Sequence, residues 1–288
     1  MIEIGKINTL TILRETSVGL YLGDNENNEV LLPGSFIKEV FNINDKLNVF
    51  IYKDSEDRII ATTTLPYVKI NEFAYLRVVS VSEFGAFLDW GLEKDLFVPF
   101  SEQKYKMTDG NFYVVYVYLD KVTNRIVCSN KIDKFINNQN IDLKETQEVD
   151  LLVYEESPLG FSCIINGTYK GLIYHNDIYK EVFIGDEMKG FVKTIREDKL
   201  IDISFQKSGF KNVLDSTEII LNYLEANKGF INLHDKSTPE DISIRLSMSK
   251  ATFKKAIGIL YRQRKVMIKS DGVYLATEDL NSQIPNKK

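Results

Sequence analysis

The chain has 288 residues, 44% apolar and 27% charged, with a formal net charge of −5. Such a chain can bury real cores, length alone allows one to three domains, and net acidity argues against a general polyanion binder. No run approaches the roughly 18 apolar residues of a membrane span, and Met1-Ile2-Glu3-Ile4-Gly5-Lys6 lacks the basic patch and apolar stretch of an export signal. A soluble, cytoplasmic protein without a membrane partner is the expectation.

In chain order, the first three quarters consist of strand-like segments in a threefold repeat. The first copy has Gly19-Leu20-Tyr21-Leu22, then Leu31-Leu32-Pro33, then Arg58-Ile59-Ile60-Ala61. The second has Gly85-Ala86-Phe87-Leu88, Phe97-Val98-Pro99 and Arg125-Ile126-Val127-Cys128. The third has Gly160-Phe161-Ser162-Cys163, Leu172-Ile173-Tyr174 and Leu200-Ile201-Asp202-Ile203. In every copy thirteen positions separate the glycine from a core-type residue, Leu32, Val98 or Ile173.

Five short strands in roughly 65 residues, with the longest connection after the third, is the size of a small Greek-key barrel of the OB type. The repeated glycine suits a strongly coiled strand that must bend where a barrel closes. Barrels are expected over residues 1–66, 67–137 and 145–209. The two cysteines, Cys128 and Cys163, each lie in an apolar strand, as small buried thiols of a reducing compartment would.

Strand alternation sorts the second copy into an aliphatic core set and an outward set of Phe87, Tyr116 and Tyr118, with Asp120 and Arg125 near the last turn. The first copy offers Tyr21, Phe50 and Tyr52 with Asp54 and Arg58. The third is poorer: Tyr174, Phe191 and Lys193, with Ser162 where an aromatic stood before. Outward rings beside cations suit single-stranded RNA, because each ring offers a flat surface to a base and the cations hold phosphate. The competing explanation is that the rings pack between neighbouring barrels.

Beyond Lys207-Ser208-Gly209-Phe210 the apolar period lengthens from two to about three and a half. Ser216 to Leu224 is expected as a capped helix closed by Lys228-Gly229. Ser237-Thr238-Pro239-Glu240 announces a second helix through a capping box of Ser237 and Glu240, ending at Leu246. A tight turn leads into a third helix, Lys250 to Tyr261, and Lys265 to Ile268 with Val273 to Leu275 flanks Ser270-Asp271-Gly272 as a hairpin. The whole is a winged helix-turn-helix over residues 212–278, followed by a flexible tail, 279–288. From Arg245 to Lys269 the segment holds eight Lys or Arg and no Asp or Glu. With Phe253, Ile257 and Leu260 packed inward, Lys250, Lys254, Lys255, Arg262, Arg264 and Lys265 form a basic face fit for phosphates of a duplex; a solvated or protein-docking face is the alternative.

Phe84-Gly85-Ala86-Phe87-Leu88 followed by Leu96-Phe97-Val98 resembles the S1 RNA-binding domain. The resemblance implies that Phe84, Phe87, Asp120 and Arg125 line an RNA face. The position that family fills with histidine or an aromatic is Pro33 in the first copy, Pro99 in the second and Tyr174 in the third. Three such barrels followed by a winged helix containing Ser249 to Tyr261 resemble the conserved virulence factor B family of bacteria. That resemblance implies a cytoplasmic RNA-binding protein in post-transcriptional control of gene expression, including virulence genes.

Chemistry is sparse elsewhere. His175 and His234 lie away from any metal spacing, and no phosphate loop or nucleophile elbow occurs. The expectation is a mainly β, non-catalytic binder of single-stranded RNA without cofactor or metal, with duplex nucleic acid as a second partner of the winged helix. A DNA-binding regulator led by the winged helix, and a ribosome- or polymerase-associated platform, are the alternatives.

Overall fold

The repeated glycines owe their spacing to a single contact. A Cβ on Gly19, Gly85 or Gly160 would lie 2.1, 2.2 or 2.0 Å from the carbonyl oxygen of Leu32, Val98 or Ile173, so only glycine lets the second and third strands approach there. At Gly19 and Gly160 the backbone φ of +142° and +153° adds a conformation that residues with side chains rarely adopt.

The computed structural model describes residues 1–37, 39–178, 181–205 and 210–276. Its first barrel is built from β1 (Ile7–Thr16), β2 (Gly19–Gly23), β3 (Glu29–Pro33), β4 (Lys46–Lys53) and β5 (Ile59–Thr62), closed in the order β1-β2-β3-β5-β4. The second repeats that order with β6 (Phe73–Val81), β7 (Gly85–Leu88), β8 (Leu96–Pro99), β9 (Phe112–Leu119) and β10 (Ile126–Ser129). The third does so with β11 (Glu148–Ser157), β12 (Gly160–Ile165), β13 (Tyr169–Tyr174), β14 (Glu187–Ile195) and β15 (Ile201–Ser204). In each barrel the third and fifth strands pair in parallel and the other neighbours antiparallel. The first strand carries a bulge at the same place in all three, at Ile12/Arg14, Val78/Ser80 and Val153/Glu155, which supplies the bend that closure requires.

The chain groups into two compact units, Met1–Asn137 and Asn138–Lys288. In the first, both barrels share one continuous buried cluster, from Leu10 and Ile12 through Phe50 and Trp90 to Val117 and Cys128. In the second, the third barrel has its own core around Val153, Ile173 and Ile203, and the C-terminal module another around Leu224, Phe253 and Leu260. Cys128 and Cys163 are fully buried, and burial pushes both thiols up, that of Cys163 to about 12.

The C-terminal module is a winged helix: α1 (Phe210–Ala226), β16 (Phe230–Ile231), α2 (Pro239–Leu246), α3 (Lys250–Arg262), β17 (Val266–Lys269) and β18 (Gly272–Leu275), with sheet order β16-β18-β17. Two helix starts differ from the sequence expectation. α1 begins before Ser216, which is buried within the helix instead of capping it. The cap of α2 is Thr238, whose hydroxyl accepts from the Asp241 backbone N–H at 3.1 Å, one residue later than Ser237 and Glu240 suggest, because Pro239 occupies the first helical position. The expected flexible tail, 279–288, lies outside the described residues. Among the described residues no helix is long and apolar enough to cross a membrane.

Candidate nucleic-acid interface

The first barrel's aromatic set is not an open face. Phe50 and Tyr52 do point out of their own barrel, but the indole of Trp90 from the second barrel meets them edge-on, with ring centroids 5.6 and 6.4 Å away. They are 0% and 2% exposed, so the expectation of a free stacking surface there is corrected: the rings form the joint between barrels. Burial, followed by the negative charges of Glu93 and Asp54, pushes the Tyr52 phenol up to about 12. Tyr21 is half-buried beneath the Arg14 guanidinium, 4.2 Å from its ring centre, and Arg14 is itself held by Glu29 at 2.7 Å. Arg58 is exposed but paired with Asp54 and Glu56, both at 2.8 Å.

On the second barrel, Phe84 is 68% exposed, and Phe87 lies beside Phe97 with ring centroids 5.1 Å apart. These two strands pair Phe87 with Phe97, so alternation places both rings on the same outer face. Tyr118 lies in the same cross-strand row, across Val127 from Phe97, and Tyr116 is two residues along its strand. Phe135 stacks on Tyr116 at 4.2 Å and leans on Tyr118 at 5.4 Å, leaving neither ring fully open. The short turn before Phe135 is anchored by Glu102, which accepts from Lys134 at 2.9 Å and from the Ser129 hydroxyl at 2.6 Å. Burial, then the charges of Glu102 and Asp120, pushes the Tyr118 phenol up to about 12. Asp120 folds into its own turn, accepting from Thr123 N–H at 3.1 Å and Thr123 Oγ1–H at 2.5 Å. Its carboxylate does not pair with the Arg125 guanidinium, which instead reaches the first barrel and donates to Asp57, Nε–H to Oδ1 at 3.1 Å.

That bridge forms one wall of a cleft of about 730 Å³ between the first two barrels, within the roughly 300–1,000 Å³ typical of small-ligand sites. Of the residues expected from the sequence, it gathers Phe84, Phe87, Tyr52 and Arg125; Tyr116, Tyr118 and Asp120 are not part of it. Phe97 and Trp90 add ring surface, Lys53 and Lys94 add positive charge, and Asp57 and Asp95 add carboxylates. Sequence reasoning missed these six. Trp90, the chain's only tryptophan, was a visible signal, and Phe97 alternates with Val98 as Phe87 does with Ala86. The positions of Lys94 and Asp57 depend on how the two barrels pack, which no strand pattern encodes. Lys94 donates to the Asp54 carbonyl at 2.6 Å and lies 3.6 Å from Asp57.

The third barrel reverses the charge pattern. Asp54, Asp120 and Arg196 occupy equivalent turn positions, each donating its backbone N–H across the turn, to the carbonyls of Arg58, Arg125 and Leu200. Arg196 therefore stands where the other copies have an aspartate, and Leu200 where they have an arginine. Arg196 pairs with Asp202 at 2.9 Å and donates to the Tyr174 hydroxyl, while Lys193 is held by Asp177 at 2.6 Å. Ser162 is buried and Phe191 half-buried. His175 is exposed, its Nε2 3.0 Å from the Ser157 carbonyl.

In the winged helix, Phe253, Ala256, Ile257 and Leu260 face the core, while Lys254, Lys255, Arg262, Arg264 and Lys265 are exposed and Lys250 half-exposed. None of these six cations has a carboxylate partner among the described residues.

Two family models agree with this architecture. A family model for the CvfB-like winged helix domain matches residues 218–275, and one for the S1 domain matches residues 4–64, the first barrel. Both are domains of nucleic-acid-binding type. The YitL protein of Bacillus subtilis is 30% identical over 92% of this chain and 91% of its own length. Conserved virulence factor B of Staphylococcus epidermidis is 23% identical over 94% of both chains. A solved multidomain protein with nucleic acid binding domains from Streptococcus pneumoniae covers 94% of this chain and 98% of its own at 23% identity, with a TM-score of 0.43. The chain belongs to the conserved virulence factor B family.

Proposed function

We propose that this protein is a non-catalytic, cytoplasmic RNA-binding protein that takes single-stranded RNA at the cleft between its first two barrels and acts in post-transcriptional control of gene expression, virulence genes included. Its working modules are residues 1–66, 67–137, 145–209 and 212–278. The observation that carries this reading is the gathering of exposed Phe84 and half-buried Phe87 and Phe97 with Lys53, Lys94 and Arg125 around one cleft. Rings supply stacking surfaces that any base can use, and the cations lie within reach of the backbone phosphates.

The staphylococcal relatives support the link to virulence, since they bear the name conserved virulence factor B. Stacking contributes about 1–3 kcal/mol per base, so replacing Phe84 and Phe87 together by Ala should weaken binding of a single-stranded RNA at least about tenfold. Fluorescence anisotropy with labelled oligonucleotide, alongside circular dichroism to verify folding, checks this; unchanged affinity removes the cleft from the binding surface.

A second reading has its own support. The six cations of the winged-helix face have no carboxylate partner among the described residues, whereas Arg14, Arg58, Arg125 and Arg196 of the barrels are all paired. This favours a duplex or a phosphate backbone as the partner of α3 and the wing. Lys254→Ala with Lys255→Ala should then reduce duplex binding while single-strand binding persists.

A further inference from the structure

The charged groups that line the cleft are almost all satisfied. Arg125 donates to Asp57, Lys94 to the Asp54 carbonyl, and Lys53 to the Thr123 carbonyl at 3.4 Å. Asp95 is the exception: it lines the cleft, is half-buried, and has no hydrogen bond or ion pair among the described residues. Its segment is held in place, because the Trp90 indole N–H donates to the Lys94 carbonyl at 2.6 Å and Asp95 leads directly into β8. Burial, then the neighbouring negative charge of Asp89, raises its carboxyl above the ordinary value, as expected for an acceptor with no donor.

An ionised carboxylate offers two coplanar acceptor oxygens and no donor. A ligand satisfies both when it presents two adjacent, parallel N–H groups, the arrangement by which a guanidinium grips a carboxylate. Among the RNA bases only guanine has this on its Watson–Crick edge, as N1–H and the N2 amine. Adenine and cytosine place a ring nitrogen lone pair beside their amine, and uracil flanks its single N–H with carbonyl oxygens; each would set an acceptor against one oxygen of Asp95.

We propose that the cleft selects a guanine base from a single strand, stacked on Phe84 and Phe87, with its N1–H and N2–H donated to the Asp95 carboxylate. This rests on the cleft being the single-strand RNA site. The sugar and phosphate then lie toward Lys53 and Arg125, on the first-barrel side of the cleft.

The test uses the full chain and short uridine oligonucleotides with one central guanosine, adenosine or inosine, read by anisotropy and by quenching of Trp90. Inosine keeps N1–H and loses only the N2 amine, so it probes the fork without altering the protein. The guanosine oligonucleotide should bind about tenfold more tightly than the other two, the discrimination expected of one bidentate contact. Asp95→Asn should bring it down to the level of the adenosine and inosine oligonucleotides. Equal affinities in the wild-type chain, or a guanosine preference that survives Asp95→Asn, overturn the assignment while leaving RNA binding at the cleft in place. Failure of every oligonucleotide to bind overturns the RNA reading and the base assignment with it.

Discussion

The first and second barrels carry a similar aromatic pattern, cover its fourth-strand rings in both copies, and differ in the rings around the second strand. In the first, Phe50 and Tyr52 are sealed against Trp90 and Tyr21 lies beneath Arg14, so rings that could stack on bases hold protein together. In the second, Phe84 stays open and Phe87 half-open, and both line a cleft that holds charge supplied by the turn of its neighbour. The third barrel differs from both, with its turn charges exchanged and its arginine spent on Tyr174 and Asp202. A repeat can thus keep its skeleton while its copies diverge into joint, binding face and support, and an aromatic's role depends on what packs over it as well as on the face it occupies.

Trp90→Ala removes the ring that covers Phe50 and Tyr52 and should cost about 3–5 kcal/mol in denaturant unfolding, whereas Phe84→Ala at an exposed position should stay within about 0.5 kcal/mol. Similar losses for both would mean that no joint distinguishes the two barrels. Asp57→Asn releases Arg125 and Lys94 from their carboxylate partner, so single-strand RNA affinity should rise about two- to fivefold, an effect that added salt diminishes. A fall in affinity would make Asp57 part of the binding surface instead of a competitor for its cations. Tyr174→Ala should change RNA affinity by less than about twofold, because its hydroxyl and the adjacent arginine already satisfy each other. A larger loss would return the third barrel to the binding surface.

The barrels were legible because their requirement is local: a glycine opposite a carbonyl thirteen residues on leaves the same mark in every copy, as with Gly85 and Val98. The winged helix was legible for a similar reason, since caps and apolar periodicity are short-range features; Thr238 takes the cap in place of Ser237 because Pro239 fixes the first helical position. The bulges at Ile12, Val78 and Val153 left no such mark. Within the candidate site, Phe84, Phe87 and Arg125 could be named from one strand pattern and one family motif. Lys94, Asp57 and Asp95 could not, because their proximity arises only when two barrels pack together. The burial of Phe50 and Tyr52 was open in the sequence between stacking on RNA and packing between barrels, and Trp90 decides it.

Ultraviolet crosslinking of the 288-residue chain to a bound single-stranded RNA, with the modified peptides mapped by mass spectrometry, locates the binding surface. Crosslinks should concentrate on Phe84, Phe87 and Phe97 around the cleft of the first two barrels. Crosslinks confined to the third barrel or to α3, with the cleft peptides unmodified, would contradict it.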